Sequence, residues 1–510
     1  MISENRRIAK NTILLYFRTI IVMFISLYTS RVVLQTLGID NFGIYNVVGG
    51  MVSMFSIFSV GIVTATTRFI SFELGRNDFN QLKKTVNSCI TVLFIIGIII
   101  IIAAELAGVW FLNYKMNIAH ERMIAANWVF QCSLLTFFFN VINIPYNAII
   151  VSHERMSAFA FIGILEASLK LIIVFLLHCF VLDRLVVYAI LMLVCSLIIR
   201  LVYIIYCKKH FPEARQIRFS MDRELIKKIF AFAGWNIFGS GAIIIRNQGI
   251  NILFNLFFGV AINAAKGIAQ QVNSAVYAFV TNFQMAVKPQ IIKNYAANNL
   301  YRVHFLIKQG GRFSFYLLLL LSMPLFLETD LVLKIWLGNI PHYSTIFVRI
   351  TLISLLIESM TRFIIVAVQA TGEIKKMQMF VGFTKILALP IAYIMLKFGA
   401  TPVVGMSIII ITEIITYFIR LYFAKLQLNF DTTDFMKNVT AKVLFVSIIA
   451  FIFPFFAKFY VSTFLINKYL YLSIITIICL FSTSACIYIL GMLRTEREFV
   501  VNKVTKLFRK

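Results

Sequence analysis

Eleven basic side chains lie inside stretches apolar enough to cross a bilayer: Arg18, Arg31, Arg68, Lys170, Arg200, Arg246, Lys266, Arg349, Arg362, Lys385 and Arg420. Only four acids join them, Glu105, Glu166, Glu358 and Glu413. A charge at the bilayer centre costs about 2.5–3.5 kcal/mol on insertion scales, so each needs a partner, an exit or a function. Glu166–Lys170 and Glu358–Arg362 are spaced i,i+4 and can neutralise themselves on one helix face. Arg31, Arg68, Arg200, Lys385 and Arg420 are expected to snorkel to headgroups. Arg18, Arg246 and Lys266 have neither escape, for each lies well inside its run with no acid within four residues. A water-filled, cationic cavity would accommodate them. It would favour an anionic group, and phosphate is the group that guanidinium binds through paired hydrogen bonds. Amides cluster on the same stretches, among them Asn247, Asn251, Gln270 and Asn273. Uncharged amides can bind sugar hydroxyls or bond one helix to another.

The elements that carry these residues follow from composition. The chain has 510 residues, 60% hydrophobic and 14% charged, whereas a soluble domain is about 25% charged. It is an all-α polytopic membrane protein. Continuous apolar runs, without period-two alternation, exclude a β-barrel. Fourteen runs qualify as spans, the first two over 10–36 and 42–71 and the eighth over 262–287. Pro324, Pro390 and Pro454 fall inside runs and should kink them. The apolar stretch after Lys10 carries Arg18 and lacks a small-residue cleavage site, so the first helix is expected to stay in the membrane.

The net charge of +27 divides unevenly. With the N-terminus in the cytoplasm, thirty basic residues fall on that side and seven on the other, which supports an even number of helices and cytoplasmic termini. The organisation read from this is an N-terminal six-helix half over 1–207 and a basic linker over 208–228. A C-terminal six-helix half over 229–427, a terminal helix pair over 428–492 and a basic tail over 493–510 follow. Two halves of six helices share one orientation, so any repeat would be parallel. Gly38 after the first helix and Gly259 after the seventh are a faint echo of one. The tail alternates cations with apolar residues and suits an interfacial helix on an anionic leaflet.

Other chemistry is poorly represented. The seven cysteines are odd in number and show no CxxC, which fits neither a disulfide framework nor a metal site. The six histidines are scattered, and none is paired with an acid inside a span as a catalytic base would be. No enzyme activity, metal, cofactor or nucleic-acid partner is expected.

Several short motifs, in order along the chain, carry a resemblance. They are Arg31-Val-Val-Leu-Gln-Thr-Leu-Gly38, Phe42-Gly43-Ile44-Tyr45, Gly61, Arg68-Phe-Ile-Ser71 and Gly75. Lys288-Pro289-Gln290-Ile291, Trp336-Leu337-Gly338 and Gln369-Ala370-Thr371-Gly372 before Lys375-Lys376 complete the set. With them the chain resembles Wzx-type polysaccharide and O-antigen repeat-unit flippases of the multidrug/oligosaccharidyl-lipid/polysaccharide exporter superfamily. The resemblance implies two six-helix halves in a MATE-like V around a cationic cavity, with a terminal helix pair. It implies alternating-access transfer of an undecaprenyl-pyrophosphate-linked oligosaccharide across the bacterial inner membrane, for O-antigen, capsule or exopolysaccharide. On that basis Arg18, Arg246 and Lys266 would meet the pyrophosphate, with Arg31 and Arg68 as second choices. The sugars would occupy the polar cavity, at Asn247, Asn251, Gln270 and Asn273. The implied partners are the lipid-linked oligosaccharide, membrane lipids, a polysaccharide polymerase and a chain-length regulator. A cation-coupled multidrug exporter or a lipid II flippase on the same fold are the alternatives. The first helix lacks the carboxylate that those branches carry.

Overall fold

The computed structural model describes residues 2–53, 55–114, 118–177, 182–215, 222–464, 467–498 and 501. Every described regular element is helical. The first six are α1 (Ile2–Ser53), α2 (Ser56–Arg76), α3 (Phe79–Tyr114), α4 (Met123–Ser152), α5 (Met156–Leu176) and α6 (Arg184–His210). Then come α7 (Arg223–Phe258), α8 (Val260–Ala296), α9 (Leu300–Leu327), α10 (Thr329–Leu337) and α11 (Ser344–Thr371). The chain continues through α12 (Lys375–Lys397), α13 (Pro402–Leu428), α14 (Thr432–Phe435), α15 (Lys442–Phe464) and α16 (Lys468–Cys486). Among the described residues twelve helical stretches are long and apolar enough to cross a membrane, so this is a multi-pass membrane protein. α2 and α8 match those twelve in length but not in composition. Each is the second helix of its half, and each is rich in Ser and Thr or in Asn and Gln.

Boundaries differ from the sequence reading where glycine intervenes. The run over 42–71 is not one helix: residues 39–53 continue α1, and α2 begins at Ser56. The break with the first span falls at Gly38, at φ 78°, inside α1. Gly259, at φ 79°, is the single residue between α7 and α8. Both glycines adopt backbone that other residues reach only with strain, so the echo noted between them is one of geometry. Pro324, Pro390 and Pro454 lie inside α9, α12 and α15 as expected. α7 starts at Arg223, so the basic linker gives its last residues to a helix, while residues 216–221 lie outside the described residues. So do residues 499–500 and 502–510 of the basic tail, which is helical over 494–498. Cys89, Cys132, Cys195, Cys207 and Cys479 are buried free thiols and Cys486 is half-buried. Cys179 is outside the described residues.

The chain divides into two compact units that do not follow chain order. Unit 1 is Met1–Gly241 with Met285–Asn299 and Gly372–Gln378. Unit 2 is Ala242–Gln284, Leu300–Thr371 and Met379–Lys510. Three helices therefore change unit along their length: α7 after Gly241, α8 after Gln284 and α12 after Gln378. Unit 1 has one apolar core around Leu15, Ile70, Val86, Ile149, Met156 and Val174, and a second around Val48, Ala104, Val129 and Phe130. The core of unit 2 gathers Ile250, Phe254, Ala265, Phe347 and Leu352. In lipid such helices associate by close packing rather than by escape from water, which is why ion pairs inside a bundle are conspicuous.

Candidate functional site

Within unit 2, five helices bring charge to one buried centre. Glu413 on α13 is 3% exposed and takes four donors. Its Oε1 accepts from Arg246 Nη1 of α7 at 2.9 Å and lies 3.0 Å from Lys385 Nζ of α12. Its Oε2 accepts from the Thr416 hydroxyl at 3.3 Å and lies 3.9 Å from Arg420 Nη2. Lys385 also reaches toward Glu358 Oε1 on α11, at 4.0 Å. Arg362 donates to that same Glu358 oxygen at 2.9 Å and stacks on Tyr277 of α8, 4.6 Å from the ring centroid. Arg420 completes its contacts by donating to Thr361 Oγ1 at 2.9 Å. Four cations thus share two carboxylates.

Lys266 adjoins this centre from α8 and donates to the backbone carbonyl of Asn247 at 2.6 Å. Arg246 Nε donates to the Asn247 side-chain oxygen at 3.3 Å. The structure therefore brings Lys266 of α8 to Arg246 and Asn247 of α7. Lys266 is buried and has no carboxylate partner among the described residues. The local charge exceeds neutrality with every group ionised, and the three guanidiniums cannot be deprotonated in a protein. Such an excess in a membrane bundle marks a functional centre more often than a structural one.

Three expectations change here. Arg246 is not unpaired: Glu413, 167 positions away, is its counter-ion. Lys385 and Arg420 do not snorkel; both are almost completely buried in the network. Arg68 does not snorkel either and is buried in unit 1. The missed assignment had a local signal. Glu413, Thr416 and Arg420 stand at i, i+3 and i+7, one stripe of a helix, although the sequence carries no sign of the partner helices.

Exposed and half-buried polar side chains lie on the same helices. Gln248, Asn251 and Asn255 form a row on α7, with Asn251 donating to Gln248 at 3.0 Å. Gln270, Gln271 and Ser274 stand exposed on α8, and Asn273 is half-buried beside them. Lipid-facing surfaces elsewhere are apolar, for example Ile448, Phe453 and Phe456 on α15.

The remaining candidates lie in unit 1. Arg18 on α1 packs its guanidinium over Phe159 of α5, 4.6 Å from the ring centroid. It occupies the room left by Gly163, where any Cβ would collide with it. Its Nε is buried without a hydrogen-bond partner. Arg31 is exposed on α1. Arg68 is caged by Phe69, Phe72 and Phe232, with its guanidinium 4.6 Å from the centroid of Phe72. Gly372, at φ 88°, is pressed against it so closely that a Cβ there would lie 2.9 Å from Nη2.

A second carboxylate node lies in unit 1, at the turn between α4 and α5. Glu154, at φ 60°, is 5% exposed. Its Oε2 meets Arg7 Nε at 2.7 Å and accepts from Gln290 Nε2 at 2.5 Å. Its Oε1 accepts from Lys293 Nζ at 2.9 Å, and its backbone carbonyl from Asn11 at 3.2 Å. Nearby, Ser71 donates to Ser152 at 2.8 Å, and Gly75 lies directly on the backbone of Lys293. Arg68, Ser71, Gly75, Gln290 and Gly372, all in motifs of the sequence, therefore serve packing within unit 1. Among the described residues no three His, Cys, Asp or Glu side chains are placed to hold a metal ion.

A family model described as polysaccharide biosynthesis protein matches residues 8–295, more than half of the chain. No curated protein matches in sequence. Solved structures are similar in fold. A MATE transporter in a bent conformation shares 14% identity at a TM-score of 0.72, over 86% of this chain and 97% of its own. A transporter of the MOP superfamily from Pyrococcus furiosus, with a binding pocket described as of reverse polarity, shares 15% identity at 0.69, over 84% and 96%. A MATE transporter of Vibrio cholerae shares 15% identity at 0.69, over 84% and 98%.

Proposed function

The chain belongs to the polysaccharide biosynthesis protein family, and from that membership we propose that it is a flippase. Its cargo is an undecaprenyl-pyrophosphate-linked oligosaccharide repeat unit, moved by alternating access from the cytoplasmic to the outer leaflet of a bacterial inner membrane. The observation that carries this reading is the excess of buried cations around Glu413 and Glu358, beside exposed amide rows on α7 and α8. Arg246 and Lys266 supply attraction for the pyrophosphate, and Asn247, Asn251, Gln270 and Asn273 supply hydrogen bonds for sugars. Arg18 is a second phosphate ligand, since its Nε is buried and unsatisfied. Arg31 and Arg68 take lower rank, one exposed on α1 and the other enclosed by phenylalanines. Both termini are cytoplasmic on the balance of basic residues between the two sides.

A cation-coupled exporter is the second reading, favoured by the likeness to MATE transporters. It needs a membrane carboxylate with room for a cation. In unit 2 both candidates are already engaged, Glu413 by three cationic side chains and Glu358 by Arg362. That observation favours an anionic cargo.

The test is complementation of surface polysaccharide in a strain lacking the gene. Arg246→Ala, Lys266→Ala and Arg18→Ala should each abolish surface polysaccharide while the protein accumulates normally. Full activity in all three overturns the phosphate assignment.

A further inference from the structure

The Glu154 node has the architecture of a releasable fastening, independent of what is carried. Its carboxylate is contributed by the α4–α5 turn, and two of its donors by the last turns of α8, at Gln290 and Lys293. α8 changes unit at Gln284–Met285. Just beyond that change stands Pro289, inside the helix. Proline cannot donate to the carbonyl four residues back, and that carbonyl belongs to Met285, the first residue on the unit 1 side. α7 changes unit at Gly241–Ala242, where it reads Gly239-Ser240-Gly241. Proline and glycine–serine pairs are the ordinary sites of helix kinks. Both helices are thus weakened within a few residues of the point where they change unit.

Close glycine contacts join α2, α7, α8 and Gln378 within unit 1. Gly75 meets the Lys293 backbone, Gly61 meets Ala233 and Ile237 of α7, and Gly239 meets Gln378. The first two are contacts of glycine with backbone and aliphatic atoms, and at the third Gln378 also donates to Asn236 Oδ1 at 3.4 Å. The charged contacts are concentrated on Glu154. Its two cationic donors can reach water when released, because the Arg7 side chain is 50% exposed and the Lys293 side chain 25% exposed, whereas Gln290 is buried.

We propose that Glu154 is a latch: it holds the end of α8, residues 290–296, to the rest of unit 1, and Gln290 and Lys293 leave it when that end swings about Pro289 during transport. Pro289 and Gly239–Gly241 are the hinges, and the glycine contacts are the faces that part. The latch holds through one carboxylate, so neutralising it shifts the balance toward the open form without altering the packing faces.

The test reads opening directly, without a substrate. Ile292 is fully buried two residues beyond Gln290. In inverted membrane vesicles, an Ile292→Cys protein should react slowly with a membrane-impermeant maleimide. Adding Glu154→Gln or Lys293→Met should raise the rate about tenfold, the factor that loss of one charge-assisted hydrogen bond gives. Equal rates in all three proteins overturn the latch, as does full reactivity of Ile292→Cys alone. Amide exchange on the unmodified protein supplies a second readout that needs no variant. Residues 286–296 should exchange together and faster than residues 262–284; uniform exchange along α8 overturns the hinge at Pro289.

Discussion

Two buried carboxylates organise this protein in opposite ways. Glu413 and Glu154 are each almost inaccessible, and each gathers donors from distant parts of the chain. The donors of Glu413 are themselves buried, with side chains of Arg246, Lys385 and Arg420 exposed by only 7%, 1% and 2%. The cationic donors of Glu154, Arg7 and Lys293, keep a path to solvent, whereas Gln290 is buried. Breaking the first node would strand charges in a membrane bundle, whereas breaking the second returns most of them to water. Desolvation therefore separates a permanent node from a reversible one, although the hydrogen-bond geometry is nearly the same.

The sharpest way to break this contrast is to delete each carboxylate. Glu413→Ala should destabilise the protein by about 3–5 kcal/mol, the range for a buried pair that loses one partner. It should be seen as loss of accumulation or a fall in unfolding temperature in detergent. Glu154→Ala should cost less than half as much in the same measurement. Equal losses would show that solvent access of the donors does not matter. Next in size, Gly38→Ala and Gly259→Ala should each cost about 1–2 kcal/mol, the strain of left-handed backbone on a residue with a Cβ. Lys385→Met sharpens the comparison within unit 2. It removes one cation from a centre with an excess of them, and unfolding should shift by less than about 1.5 kcal/mol, since each carboxylate keeps an arginine. The smallest effect belongs to Arg7→Ala, within about 0.5 kcal/mol, because a half-exposed ion pair contributes little.

The glycine breaks and most of the apolar runs were legible, with twelve of fourteen apolar enough to span among the described residues, because helices, spans and punctuation are local properties. Arg18 and Lys266 were legible for the same reason: a cation far inside a run with no acid nearby is conspicuous in one dimension. The identity of counter-ions was not. Arg246 and Glu413 are on different helices of one bundle, and no periodicity links them. Lys385 and Arg420 were assigned to headgroups because snorkelling is the ordinary fate of a long cationic side chain in an apolar run. Their depth is set by the bundle around them and not by their distance from the end. The motif residues misled in another way. Arg68, Gln290 and Gly372 are distinctive in sequence, but the structure uses them where helices are fastened together.

The composition of unit 1 carries a consequence for how the protein is made. Its closing pieces are not consecutive with its first six helices: Gln290 and Lys293 come from the eighth, and Gly372 from the turn after the eleventh. A chain emerging from the ribosome presents Arg7 and Glu154 long before their remaining partners exist. The N-terminal half must wait in the membrane with that carboxylate incompletely satisfied and with Arg68 still lacking Phe232 and Gly372. A fragment ending after α6 would be arrested at that stage. Assembly of the first half is therefore finished by the second, and the order of synthesis makes the Glu154 node a late event in biogenesis.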